Sequence, residues 1–365
     1  RVAQHVAGRC AAQARIGRQR IASGVFVAPE NEAAKEYAEL TPDTYLNNLR
    51  ITRNYYTGIN AASMHAISGS MSKAKEIAKE LVSLLNPASE DPWELASLAE
   101  ALLLIREKEK AIELYARCRH QIGSDWGKVS SIYNQLWLLN HYIPVSSQMM
   151  DTFSPPIVAA FVGHMIDAPG RKLPRFPSSI EEDIKQAIRG TIHSINARIG
   201  YCSMACGGDL LFAQAMAVTG GELHLFLPFA DDDFLKTSVS YAGDHWEERF
   251  HNLKKNFPVT YLTGEPYGGT DDLFSFQSRV IFGAAVHRAV MLHSAPHLIT
   301  VYSDLDFISK KGGTYDTLKF WPENEKRINI NPQNYIKSSP EKNSTAVSED
   351  QPQITPQFRD RQVRF

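Results

Sequence analysis

Cysteine is scarce: four residues in a chain of 365 cannot build a disulfide scaffold. Long apolar runs are missing too. None approaches the roughly 18 residues that argue a membrane span, and the mean hydropathy is −0.28. Charge of one sign is lacking, with 39 basic residues against 40 acidic ones and a net charge of −1. No global field draws the chain onto nucleic acid or an anionic membrane, so neither is expected as a partner. With 43% hydrophobic and 22% charged residues, wholesale disorder is excluded. No secretory leader opens the chain, and a cytoplasmic protein is expected. The sequence begins at Arg1 rather than Met, as a fragment of a longer protein would.

Both ends differ from the middle. Residues 1–32 form a basic segment: no acid occurs before Glu30, while Arg1, Arg9, Arg15, Arg18 and Arg20 sit among alanines and glutamines. That composition suits either an arm for an acidic partner or the end of a broken helix, and helix propensity favours the helix. Residues 333–365, rich in Ser, Pro, Gln and charge, bury too little apolar surface to offset their ordering entropy and are expected to be a disordered tail.

Residues 33–150 show helical periodicity alone. Ala74, Ile77, Ala78, Leu81, Val82 and Leu85 make an i, i+3, i+4, i+7 stripe, and Ala111, Leu114, Tyr115 and Cys118 repeat its phase 37 residues on. Ahead of the second stripe, Asp91 is placed to cap a helix, Pro92 fits its first position and Glu94 suits a capping box. A third unit would open near Asp125 with Val129, Ile132, Tyr133, Leu136 and Trp137. Helix pairs at this spacing predict tetratricopeptide-like repeats, whose usual period is about 34.

Residues 151–332 alternate. Strand-like runs start at Ile157, Ile199, Glu222, Pro258, His297 and Arg327, with helix-period stretches between them, one behind a Ser178/Glu181 capping box and one spanning about 271–293. Near-continuous apolar strands alternating with helices predict a doubly wound parallel sheet, a Rossmann-like domain. The fold class expected is therefore α + α/β, multidomain.

In such a sheet ligands bind beyond the carboxyl ends of the strands, which selects five loops. They carry Gly163 and His164 with Arg171 and Arg175; Ser203, Cys206, Gly207, Gly208 and Asp209; Pro228 with Asp231, Asp232 and Asp233; Gly264 and Glu265; and Asp304 with Gly312, Gly313 and Thr314. In the second loop a Gly-Gly leading into a helix would aim backbone amides at a phosphate; the plainer alternative is a tight turn that needs glycine for its dihedrals. Asp209 would accept a ribose hydroxyl or cap the helix. Arg171 and Arg175 suit an anion clamp or a solvated loop. His164 reads more readily as a hydrogen-bonded structural residue than as a ligand contact, and the aspartate triplet as an acidic helix N-terminus rather than a magnesium site. Cys202 and Cys206, with no second pair, do not suggest zinc, and no metal is expected. No Gx[ST]xG, HExxH or deaminase signature is present; Glu265 at a strand end is a lone general-base candidate.

Two resemblances follow from these residues. Asn54–Ala62 (NYYTGINAA), with the amphipathic pair and DPWELASLAEA, resembles the TRAFs-binding, tetratricopeptide-like region of apoptosis-signal-regulating MAP kinase kinase kinases and bacterial signalling proteins, over roughly residues 33–141. IVAAFVGHMID, GYCSMACGGDLLFAQAM and ELHLFLPF are similar to Rossmann-like domains of the SLOG superfamily. The first implies a protein partner for the helical repeats. The second implies a nucleotide or NAD-derived ligand on Ser203, Gly207, Gly208 and Asp209. Phosphoribohydrolases of that superfamily carry PGGxGTxxE. Here Gly312-Gly313-Thr314 lacks the proline and is followed by Tyr315-Asp316 without the glutamate, which favours a sensor. A signalling protein is thus expected, the alternatives being a nucleotide hydrolase using Glu265 or Asp209, or a ligand-free scaffold.

Overall fold

The computed structural model describes residues 54–303, 313–323 and 325–336; residues 1–53, Asp304, Gly312 and most of the tail lie outside them. The chain first winds into helices α1 (Tyr55–Ile67), α2 (Met71–Leu84), α3 (Pro92–Leu104), α4 (Lys108–Ile122), α5 (Trp126–Leu139) and α6 (Ser147–Thr152). The starts of α1 and α3, and of α2 and α4, are each 37 residues apart, matching the offset of the stripes. Ala74, Ile77, Ala78 and Leu81 of α2 and Ala111, Leu114, Tyr115 and Cys118 of α4 are all buried in one core. The third unit departs from the pattern. Val129, Ile132 and Leu136 are buried, but Tyr133 only in part, and Trp137 is 44% exposed, with its ring edge against His141. Met149 of α6 and the following Phe153 join the helical core, which therefore reaches past residue 150.

Polar side chains tie these helices together. Asp91 accepts the Trp93 N–H (3.0 Å) as the cap of α3, and also the hydroxyl of Tyr55 (2.9 Å). Glu94 does not complete a capping box: its carboxylate holds the preceding turn through Asn86 N–H (3.1 Å) and Ser89 Oγ (2.6 Å). Asp91→Ala is expected to cost about 1 kcal/mol, read as a lowered urea midpoint with unchanged slope. Deeper in, the buried Glu100 of α3 receives the hydroxyl of Ser63 and Nε2 of Gln135 (2.8 Å), linking α1, α3 and α5.

The second half is a six-stranded, all-parallel sheet. Its strands are β1 (Ile157–Gly163), β2 (Ala197–Cys202), β3 (Glu222–Leu227), β4 (Val259–Tyr261), β5 (Pro296–Val301) and β6 (Lys326–Ile330). The helices are α7 (Glu181–Ser194), α8 (Gly208–Val218), α9 (Asp231–Ser238), α10 (Asp244–Asn256), α11 (Asp272–Met291) and α12 (Thr314–Leu318). Alternation along β1 sends Ala159 and Phe161 into a core with α7, α8 and α10. Val158 and Ala160 enter the opposite core, under α11. Both faces are covered, as continuous apolar strands require. Trp126, opening α5, packs against the helical core and the α11 core alike. Two local expectations fail. Ser178 makes no capping bond but begins a 3-10 turn, and Glu181 instead pairs with Arg249 (2.7 Å). Residues 333–336 also belong to the folded part: Pro332–Asn334 form a 3-10 turn, and Tyr335 and Ile336 pack against the core.

Strand order is β4-β3-β2-β1-β5-β6. The chain runs outward from β1 to β4, then returns through α11 to lay β5 on the other side of β1. The direction of winding reverses between β1 and β5, where Gly163 pairs with Val301. That reversal splays the following loops apart and opens a crevice at the carboxyl ends.

Candidate functional site

A cleft of ≈ 490 Å³ lies at this point. It gathers Gly163, His164, Arg171, Arg175, Ser203, Asp209, Gly313 and Thr314 from the residues singled out in sequence. Cys206, Gly207, Gly208 and Pro228 are buried and do not line it. Gly264 and Glu265 are exposed and do not line it, although Tyr267, two residues further along the same loop, does.

The floor is built by the loop after β1. A Cβ on Gly163 would meet the Phe161 ring at 2.9 Å and Val301 at 3.2 Å, so glycine here is a packing requirement. The His164 N–H donates to Val301 O (2.8 Å) and its Nε2 accepts the Ser303 N–H (3.0 Å). Nε2 therefore carries no proton, and the ring pins the ends of β1 and β5 together. From there Met165 forms an antiparallel bridge with Gly207.

That bridge corrects the phosphate expectation for the Gly207–Gly208 bend. Gly208 N–H donates to His164 O (3.0 Å), Ile166 N–H to Cys206 O (3.2 Å) and Cys206 N–H to Ser238 O (2.9 Å). Buried amides must be paired, and the chain itself pairs those of Cys206 and Gly208, so the bend is clasped against the loop after β1 and, being buried, does not line the cleft. Gly207 has φ +100°, so the plainer, conformational reason for the glycine holds. Asp209 is 8% exposed. Burial pushes its carboxyl up to about 7, against the opposing pull of the Ala205 and Gly163 amides that donate to it. The neighbouring thiols are driven up by burial, Cys206 to about 11 and Cys202 well above its ordinary value, which leaves them protonated and unreactive.

Above the floor, residues 167–176 close into a loop around Asp167. Its Oδ2 accepts the N–H groups of Arg175 (2.8 Å) and Phe176 (3.0 Å), and its Oδ1 lies 3.3 Å from Arg171 Nε. This aspartate, not recognised in sequence, positions both arginines on the cleft. The same cleft has an aromatic lining. Phe234, Tyr267 and Phe274 line the cleft, their rings packed around the buried Phe229 at 6.1, 4.9 and 5.4 Å. The aspartate triplet opens α9 as expected, with two carboxylates engaged: Asp231 accepts the Tyr261 hydroxyl (2.7 Å) and Asp233 the Tyr267 N–H (2.9 Å). The last wall is α11, where Phe274, Gln277, Ser278 and Ile281 share one face. Nothing in the pattern of α11 distinguished Gln277 from an ordinary helix position. Among the described residues no cluster of three metal-ligating side chains forms, and no helix is long and apolar enough to cross a membrane.

The cleft therefore combines two cations, an aromatic face and a ring of hydroxyl and amide groups, a donor set suited to a planar molecule with an anionic end. No protein-family model and no curated protein matches the chain.

Proposed function

We propose that this is a cytoplasmic signalling protein whose α/β half is a Rossmann-like, SLOG-like domain that binds a nucleotide-type or NAD-derived small molecule in the cleft. Its helical half, a TRAFs-binding-like array of tetratricopeptide type, engages a protein partner. The observation that carries the ligand reading is the pair Arg171 and Arg175, lining one cleft with aromatic side chains at the sheet's reversal point. The anionic anchor moves from the glycine bend, which is buried and does not line the cleft, to the arginine loop held by Asp167. A bound ligand shifts a conformational equilibrium only through different affinity for two states, and the 167–176 loop supplies contacts that could differ between them.

The test is thermal stabilisation of the full chain by AMP, ADP-ribose, NAD and ribose 5-phosphate. A ligand at one hundred times its Kd contributes about 2.7 kcal/mol, a clear rise in Tm. In the Arg171→Ala/Arg175→Ala double variant that rise is expected to vanish while the unliganded Tm stays close to wild type. No rise with any of the four compounds would overturn the ligand reading.

One observation favours a second reading, nucleotide hydrolysis: a carboxyl held near 7 in the cleft wall, Asp209, is poised as a general acid. Glu265, exposed at the sheet edge, is not placed to assist it. Release of base or phosphate from AMP across pH 5–9, lost in Asp209→Asn, would establish hydrolysis; no release would leave the sensor.

A further inference from the structure

Gln277 is 3% exposed, yet its bonding is half used. Its Nε2 donates to Phe226 O at 2.6 Å and to Ser203 Oγ at 2.9 Å. A backbone carbonyl only accepts, so the contact with Phe226 forces the nitrogen, and not the oxygen, into that position and forbids the flipped amide. Both Nε2 hydrogens are then committed. What remains is Oε1, an acceptor that no donor reaches among the described residues, on a side chain that lines the cleft.

Ser203 completes the arrangement. Its Oγ accepts from Gln277, so its own hydrogen must be donated elsewhere, and no acceptor takes it among the described residues. The serine also lines the cleft. An acceptor and a donor therefore stand side by side, one on α11 and one after β2. Phe274 is three residues before Gln277 on the same helix face and offers a ring to a flat ligand.

We infer that Gln277 and Ser203 form a two-point recognition edge for a planar group carrying an N–H donor beside an acceptor atom, as a nucleobase does, and so determine which ligand the cleft selects. The inference rests on the reading of this cleft as a nucleotide-type site. The arginines would hold the anionic end and this pair the other.

Calorimetric titration of the full chain with AMP, GMP and ribose 5-phosphate tests it. At least one of the two nucleotides is expected to bind about tenfold or more tightly than ribose 5-phosphate. Gln277→Met should remove most of that advantage. Ser203→Ala, which leaves the Gln277–Phe226 bond in place, should reduce it several-fold and serves if the methionine variant fails to fold. Equal affinity for all three compounds, or an advantage surviving in a folded variant, overturns the recognition edge while leaving the anion site intact. Binding of none of the three, ribose 5-phosphate included, overturns the cleft reading and this inference with it.

Discussion

Gly207→Ala is expected to destabilise the protein by about 4 kcal/mol, a large part of an ordinary domain's 5–15 kcal/mol. The backbone sits at φ +100°, which costs a residue with a Cβ about 1–2 kcal/mol. The new Cβ would also meet Ile166 N at 2.6 Å, His164 O at 2.8 Å and the Met165 carbonyl carbon at 2.9 Å. All three are backbone atoms, so no side-chain rotation relieves the contact. The strand-like crossing must separate, and the Gly208–His164 and Ile166–Cys206 hydrogen bonds go with it, at about 1 kcal/mol each. Urea unfolding measures the effect, with Gly264→Ala as the control: nothing lies within 4 Å of a Cβ there. A Gly207→Ala midpoint close to that of the control would show that the bend is not clasped. Because the same crossing forms the floor under Arg171 and Arg175, the variant should also lose any ligand-induced rise in Tm.

The second large effect is on pH dependence. Asp209 takes up its proton at about 7 in the folded protein, against 3.8 for the free side chain. Between those values the native state holds a proton the unfolded chain has released. Stability therefore falls as pH rises through that window and levels off above about 7. The shift corresponds to about 4 kcal/mol. His293 and His297 act in the opposite direction. Burial lowers both, so their contribution is present above pH 6.5 and is lost as pH falls below it. Comparison of variants separates the two. Asp209→Asn, which cannot ionise, should abolish the decline between pH 5 and pH 7.5 and leave the histidine contribution as the remaining slope. Parallel curves of Tm against pH for wild type and Asp209→Asn would show that this carboxylate ionises as freely as an exposed one.

Much of this architecture was legible from spacing. The 37-residue offset between apolar stripes reappears in the helix starts, because one face must be buried every turn and the stripe records which. The six apolar runs became six parallel strands, though β4 shrank to Val259–Tyr261; edge position leaves half its backbone groups unpaired by the sheet. Helix caps were less certain. Asp91 caps α3, but Glu94, Ser178 and Glu181 found other partners, since a carboxylate or hydroxyl takes whichever donor or cation the fold brings nearest.

The site divides along the same line. Local chemistry marked the loops that end parallel strands, and half of the residues chosen there do line the cleft. Glu265 did not, although Tyr267 in the same loop did, because sequence marks a loop but not which of its residues turns toward the cleft. Asp167 and Gln277 were invisible for a related reason. Their partners, Phe176 and Arg175 for one and Ser203 and Phe226 for the other, come from contacts that exist only once the loops and α11 are in place.

The sequence by itself determined the succession of helices and strands and the apolar faces that drive them together, because periodicity is a property of neighbours along the chain. Only the tertiary structure decided that Gly207 and Gly208 serve a chain crossing, that two arginines line one cleft with aromatic side chains, and that the amide of Gln277 joins them there. Those outcomes depend on which buried donors and acceptors meet across the reversal between β1 and β5, and no residue carries that information until the sheet has closed around it.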